Sequence, residues 1–83
     1  MPKIFEWNGY KFFFFSNEGI PLEQCHIHVR KNKNIAKYWM EPVVKLEYAT
    51  GFTSTELNLI EQQIIKKSEE IRSKWNEYFK HTS

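Results

Sequence analysis

Phe5-Glu6-Trp7-Asn8-Gly9-Tyr10-Lys11-Phe12-Phe13 is the stretch on which the fold turns. Asn-Gly between two apolar segments is the strongest short hairpin signal, because a type I′ turn needs φ > 0 at both central residues. The turn fixes the register outward from itself. Trp7 is expected opposite Tyr10, Glu6 opposite Lys11, Phe5 opposite Phe12 and Ile4 opposite Phe13. Glu6 and Lys11 then make a cross-strand ion pair. The returning strand runs on through Phe14 and Phe15. It is apolar on both faces, whereas a strand with one wet face alternates. One face meets the domain's own helix. The other, carrying Ile4, Phe13 and Phe15, needs a cover: a second layer, a dimer mate, a partner protein, or the loop over 17–24.

Gly19 and Pro21 mark that loop. Cys25-His26-Ile27-His28-Val29-Arg30 is the next strand. Its alternation sends Ile27 and Val29 to a core and His26, His28 and Arg30 to the opposite face. Asn32-Lys33-Asn34 is a polar turn, since Asn tolerates the left-handed region. With residues 31 and 34 flanking the turn, His26 faces Trp39, Ile27 faces Tyr38, His28 faces Lys37 and Val29 faces Ala36. Pro42 interrupts. The strand resumed from Val43 carries Val44, Leu46 and Tyr48 on one face and Lys45 and Glu47 on the other.

Gly51 closes the sheet region. Thr53 and Glu56 form a capping box, with Phe52 and Leu57 as its hydrophobic staple. Leu57, Ile60, Ile64, Ile71, Trp75 and Phe79 then recur at helical spacing. No Gly or Pro stops this segment. At ~1.5 Å per residue it is about 40 Å long, against about 17–20 Å for a strand of mean length. Either it bends near Lys67-Ser68, or its second half projects and offers Ile71, Trp75, Tyr78 and Phe79 as a docking surface. The expected fold is α+β. A twisted antiparallel sheet of four or five strands fills residues 1–50. A long C-terminal helix over 53–80 packs on one face through Leu57, Ile60 and Ile64, against Phe12, Ile27, Val29, Leu46 and Tyr48.

The 83 residues make one domain, 1–83. A domain this small buries only about 60–65% of its unfolded surface. The 17% aromatic content compensates with a dense core from few side chains. The single cysteine, Cys25, excludes an internal disulfide and a Cys-rich zinc site. No apolar run approaches ~18 residues and no signal segment opens the chain, so a cytoplasmic protein with no membrane contact is expected. Net charge is only +2. Between Gln24 and Glu41, however, Arg30, Lys31, Lys33 and Lys37 stand against Glu41 alone.

His26 and His28 are the residues with most chemistry on offer. A His-x-His strand can start a metal site. A third ligand is needed, and Glu41, Glu47 and His81 are at no diagnostic spacing, so neither metal nor cofactor is expected. The same pair can act as general acid and base on a phosphodiester, with Arg30 or Lys37 holding the phosphate. The histidine-triad nucleotide hydrolases do not fit, because Arg30 stands where a third His belongs. A third reading is a binding face, with Arg30, Lys31, Lys33, Lys37 and Trp39 as its contacts. Aromatics amid basic residues hold single-stranded nucleic acid by stacking and phosphate charge. The plainest reading is that both imidazoles pack against Trp39. Cys25 points away from His26 and reads as a buried structural residue.

The chain resembles a family through several separated motifs. They are Met1-Pro2-Lys3-Ile4-Phe5, Trp7-Asn8-Gly9-Tyr10-Lys11-Phe12-Phe13-Phe14, Ser16-Asn17-Glu18-Gly19, and His26-Ile27-His28-Val29-Arg30-Lys31. Ala36-Lys37-Tyr38-Trp39, Glu41-Pro42-Val43-Val44 and Trp75-Asn76-Glu77-Tyr78-Phe79 complete the pattern. Together they are similar to the small bacterial proteins grouped as domain-of-unknown-function family 4160. Cys25 departs from the Pro that usually precedes the first His there. The resemblance implies a gene arrangement like that of toxin–antitoxin pairs, and so a small protein partner. It brings no established catalytic role.

Two functions follow as expectations. One is the toxin-like half of a two-protein module, acting on nucleic acid or its machinery with His26 and His28 as catalytic residues. The other is a non-enzymatic interaction or regulatory subunit whose same face binds a small protein or nucleic acid. In both, an antitoxin-like partner or a second copy covers Phe13, Phe15 or Trp75, because soluble monomers seldom leave such an apolar area exposed.

Overall fold

The computed structural model describes residues 2–15 and 23–79. Its elements are β1 (Lys3–Trp7), β2 (Tyr10–Phe13), β3 (His26–Lys31), β4 (Asn34–Trp39), β5 (Lys45–Thr50), α1 (Ser54–Lys66) and α2 (Ser68–Phe79). The strands form one antiparallel sheet in chain order, β1-β2-β3-β4-β5. Most of the loop expected over 17–24, and His81, lie outside the described residues.

Asn8 and Gly9 have φ of 49° and 80°, as the first turn requires. Trp7, Glu6 and Phe5 pair with Tyr10, Lys11 and Phe12. Beyond Phe5 the expected register fails. Phe13 pairs with Lys3 rather than Ile4, across a bulge. A bulge adds one residue and so swaps the faces beyond it. Ile4 therefore packs on the core and Lys3 takes the place expected for Ile4. Glu6 binds Lys3, Nζ to Oε1 at 3.1 Å. The β3–β4 register is the expected one at every pair, from His26–Trp39 to Lys31–Asn34.

A second bulge lies in β5. Tyr38 pairs with Leu46 but Lys37 with Tyr48. Leu46 and Ala49 thus face the core, while Tyr48 moves to the other side and is exposed. The expectation that Tyr48 packs under the helix is overturned by this one extra residue.

The single long helix is in fact two. Lys67, with φ −102° and ψ 14°, ends α1, and α2 begins at Ser68. Glu69 and Glu70 in the first turn of α2 suit the positive end of a new helix. The break brings α2 back to the protein instead of letting it project. Ile71, Trp75 and Phe79 are buried in one cluster with Ile60, Ile64, Phe12, Phe14, Ile27, Val29 and Tyr38. Two hydrogen bonds from buried tyrosines tie α1 to the sheet. Tyr38 Oη donates to the Leu57 carbonyl at 3.1 Å, and Tyr10 Oη to Glu56 Oε2 at 2.8 Å. Burial, with the Glu61 charge adding to it, pushes the Tyr38 hydroxyl up to about 12. Arg72 fastens α2 to the segment after β4. Its Nε donates to Glu41 Oε1 at 3.0 Å and its Nη2 to the Met40 carbonyl at 3.2 Å. Among the described residues, no helix is long and apolar enough to cross a membrane.

Candidate nucleic-acid interface

The helices cover one face of the sheet. On the other, strand pairing lines side chains up in three rows. The middle row is Lys3, Phe13, His28, Lys37 and Tyr48. Toward the β3–β4 turn lie Glu6, Lys11, Arg30, Ile35 and Thr50. Toward the opposite end lie His26, Trp39 and Lys45. His26, His28 and Arg30 thus share a face, and Ile27 and Val29 point to the core.

Accessibility divides these residues. His26 is 0% exposed and His28 2%. They sit in a run of rings: Phe15 to His28 at 4.3 Å, Phe13 to His28 at 5.7 Å, His28 to His26 at 5.3 Å, and His26 to Trp39 at 5.3 Å. Nδ1 of His26 lies 2.8 Å from the Gln24 carbonyl. A carbonyl only accepts, so Nδ1 carries the proton in that bond. His26 packs against Trp39 as the packing reading expects, whereas His28 packs against Phe13 and Phe15 instead.

Phe13 and Trp75, expected at a partner interface, are 6% and 2% exposed. The apolar second face of β2 is covered from within the chain. Phe13 rests against Phe15 and His28, and Trp75 against Phe14 and Phe79. Phe15 is half-buried. Of the residues expected to dock a partner from a projecting half-helix, Ile71, Trp75 and Phe79 are buried in the core and Tyr78 is exposed.

The expected binding residues scatter more. Arg30, Lys37 and Trp39 lie on the outer face. Lys31 leaves β3 on the helix side, with Nζ 4.5 Å from the Tyr10 ring centre. Lys33 is exposed in the β3–β4 turn. Lys37 is largely sheltered, its side chain 14% exposed, with Nζ 4.3 Å above Trp39 and 4.0 Å from Glu23 Oε1. Lys3, Lys11, Lys45 and Tyr48 join the face and were missed. Strand alternation outward from Asn8-Gly9 places Lys11 there. The bulges hid Lys3 and Tyr48.

The outer face is strongly basic. Lys3, Lys11, Arg30, Lys37 and Lys45 stand against Glu6 along its rows. Glu6 is occupied by Lys3. Among the described residues, no carboxylate lies within ion-pair distance of Lys11, Arg30 or Lys45. No group of three described His, Cys, Asp or Glu residues comes together as a metal site. Glu41, weighed as a third ligand, is held by Arg72.

Residues 9–76 match the family described as Domain of unknown function (DUF4160). The chain belongs to that family. The match takes in the Gly9 turn, the His26–Arg30 strand, the basic outer face from Lys11 onward, the break at Lys67 and Trp75. No curated protein and no solved structure matches this chain.

Proposed function

We propose that this protein is the toxin-like half of a two-protein bacterial module, acting by holding nucleic acid on the outer face of its sheet. One observation supports the mode of action: Lys11, Arg30 and Lys45 stand on that face with no acidic partner among the described residues. Unpaired cations around partly exposed rings suit a phosphate backbone with unstacked bases. The exposed Tyr48 and half-buried Trp39 supply the rings. The module itself rests on the gene arrangement that the family resemblance implies.

Binding rather than cleavage is the better reading. A general acid or base must come within hydrogen-bond reach of the proton it moves. His26 and His28 are enclosed by Phe13, Phe15, Trp39 and Trp75, which suits a structural role. A non-enzymatic regulatory subunit would use the same face in the same way. The two differ only in what binding does to the cell.

The test has two readouts. Expression of the chain alone should slow bacterial growth, and co-expression of its genomic neighbour should relieve the arrest. An Arg30→Glu/Lys45→Glu variant that stays soluble should lose both the arrest and its affinity for single-stranded RNA. Arrest kept in that variant but lost in a soluble His26→Ala/His28→Ala variant would overturn the binding mode in favour of an enzyme. No arrest at all, with RNA still bound, would leave the regulatory subunit.

A further inference from the structure

Lys11 and Arg30 are direct cross-strand partners in the β2–β3 pair. Like charges in that position destabilise a sheet. Beside them is an open groove of about 690 Å3, lined by Lys3, Glu6, Lys11, Phe13, Arg30 and Lys31. Its size falls within the range of small-ligand sites. Its charge does not cancel internally, since Lys3 already takes the single acid, Glu6. Arg30 lines the groove, and a long bond from its Nε to the Asn32 carbonyl, 3.4 Å, engages one edge of the guanidinium and leaves the Nη edge for a ligand.

We infer that this groove is a seat for two or more closely spaced phosphates, gripped by Lys11 and Arg30. The inference rests on the nucleic-acid reading of the outer face and narrows it to one end of that face. A phosphodiester backbone and a free polyphosphate share this chemistry. The repulsion between the two cations is relieved when an anion bridges them, so the ligand stabilises the fold as it binds. Stability is given up in the empty protein for affinity in the filled one.

The test compares the full chain with Lys11→Gln/Arg30→Gln, and with Lys74→Gln, a change on the exposed side of α2. Thermal unfolding is followed with sodium tripolyphosphate at constant ionic strength. Binding of a labelled single-stranded RNA is followed by anisotropy across a salt series. Tripolyphosphate should raise the melting temperature of the wild type and of Lys74→Gln, but not of the double variant. Without ligand the double variant should melt at or above the wild-type temperature, which a merely structural pair would not do. Its RNA affinity should fall at least tenfold, and its salt slope by about 1.4, the value for two phosphates on a single strand. A tripolyphosphate shift kept by the double variant overturns the seat. So does RNA binding that is unchanged in the double variant, which would leave the nucleic-acid reading to Lys37 and Lys45. Pair-dependent tripolyphosphate binding with no RNA bound keeps the seat and overturns the nucleic-acid reading.

Discussion

The indole of Trp75 lies 4.9 Å, centre to centre, from the imidazole of His26. Trp75 belongs to the core between helices and sheet, and His26 to the face the helices leave open. One ring therefore seals the end of the sheet and joins the two sides. It also packs edge-on to Phe14 at 5.1 Å and against Phe79 at 4.2 Å. Trp75→Ala should cost about 3–5 kcal/mol, most of the margin of a small domain. Trp75→Phe should recover much of it. The denaturation midpoint in urea measures both, and an Ala variant as stable as wild type would refute this role.

His26→Ala should weaken the fold before it touches any activity. The substitution opens a space at a fully buried site and strips the Gln24 carbonyl of its donor. Losing such a hydrogen bond costs about 0.5–1.5 kcal/mol, to which the cavity adds. Loss of function in such a variant therefore counts only at equal soluble yield. A variant with unchanged thermal stability would reopen a chemical role for the imidazole.

Much of this fold is legible in the sequence because short-range rules act unopposed there. Asn8-Gly9 and Asn32-Lys33 dictate their turns, and the registers next to them follow. Thr53 and Glu56 announce the helix start. The illegible parts are single-residue events with long consequences. The bulge at Ile4 and the slip before Tyr48 carry no Gly or Pro to mark them, yet each moves a side chain to the other face. The break at Lys67 is legible as one of two alternatives, because Lys67 and Ser68 interrupt the apolar stripe and the segment outruns a strand in length. Nothing in the pattern chooses between a bend and a projecting half. At the candidate site, pattern placed His26, His28 and Arg30 on one face. It could not tell that rings from three elements enclose the first two and leave the third in solvent.

Gly51→Ala should be costly for two reasons. Its φ is +92°, where a side chain is strained. An added Cβ would also collide with the Asn34 side chain, which sits beside it at the start of β4. Substitution against an incompatible backbone costs more than about 1 kcal/mol. Gly51→Ala/Asn34→Gly should recover only the collision, leaving the backbone strain. Chemical denaturation of both variants separates the two contributions, and full recovery in the double variant would deny the strain.

Thr53→Ala should cost about 1 kcal/mol, as caps of this type do. Thr53 Oγ1 accepts from the Glu56 amide at 3.1 Å, and Glu56 Oε1 accepts from the Thr53 amide at 3.0 Å. The alanine variant keeps the second bond and loses the first. A midpoint equal to wild type would place the helix start elsewhere.

Glu56 also makes the fold sensitive to acid. The Thr53 backbone amide, and then the Tyr10 hydroxyl, hold its carboxyl below the ordinary value of 4.5. Because the folded form gives up its proton more readily than the unfolded chain, the contribution is fully present above that ordinary value. It is lost as pH falls through the lowered one. The same bond seen from its other end pushes the Tyr10 hydroxyl above 10.0, chiefly through Glu56. That contribution is present below 10.0 and lost as pH rises through the raised value. Glu56→Gln should therefore flatten the loss of stability between pH 5 and pH 3. Tyr10→Phe should flatten it less, since the larger cause, the Thr53 amide, remains. Melting temperatures across that range measure all three proteins. Parallel curves for wild type and Glu56→Gln would show that the carboxylate does not set the acid limb.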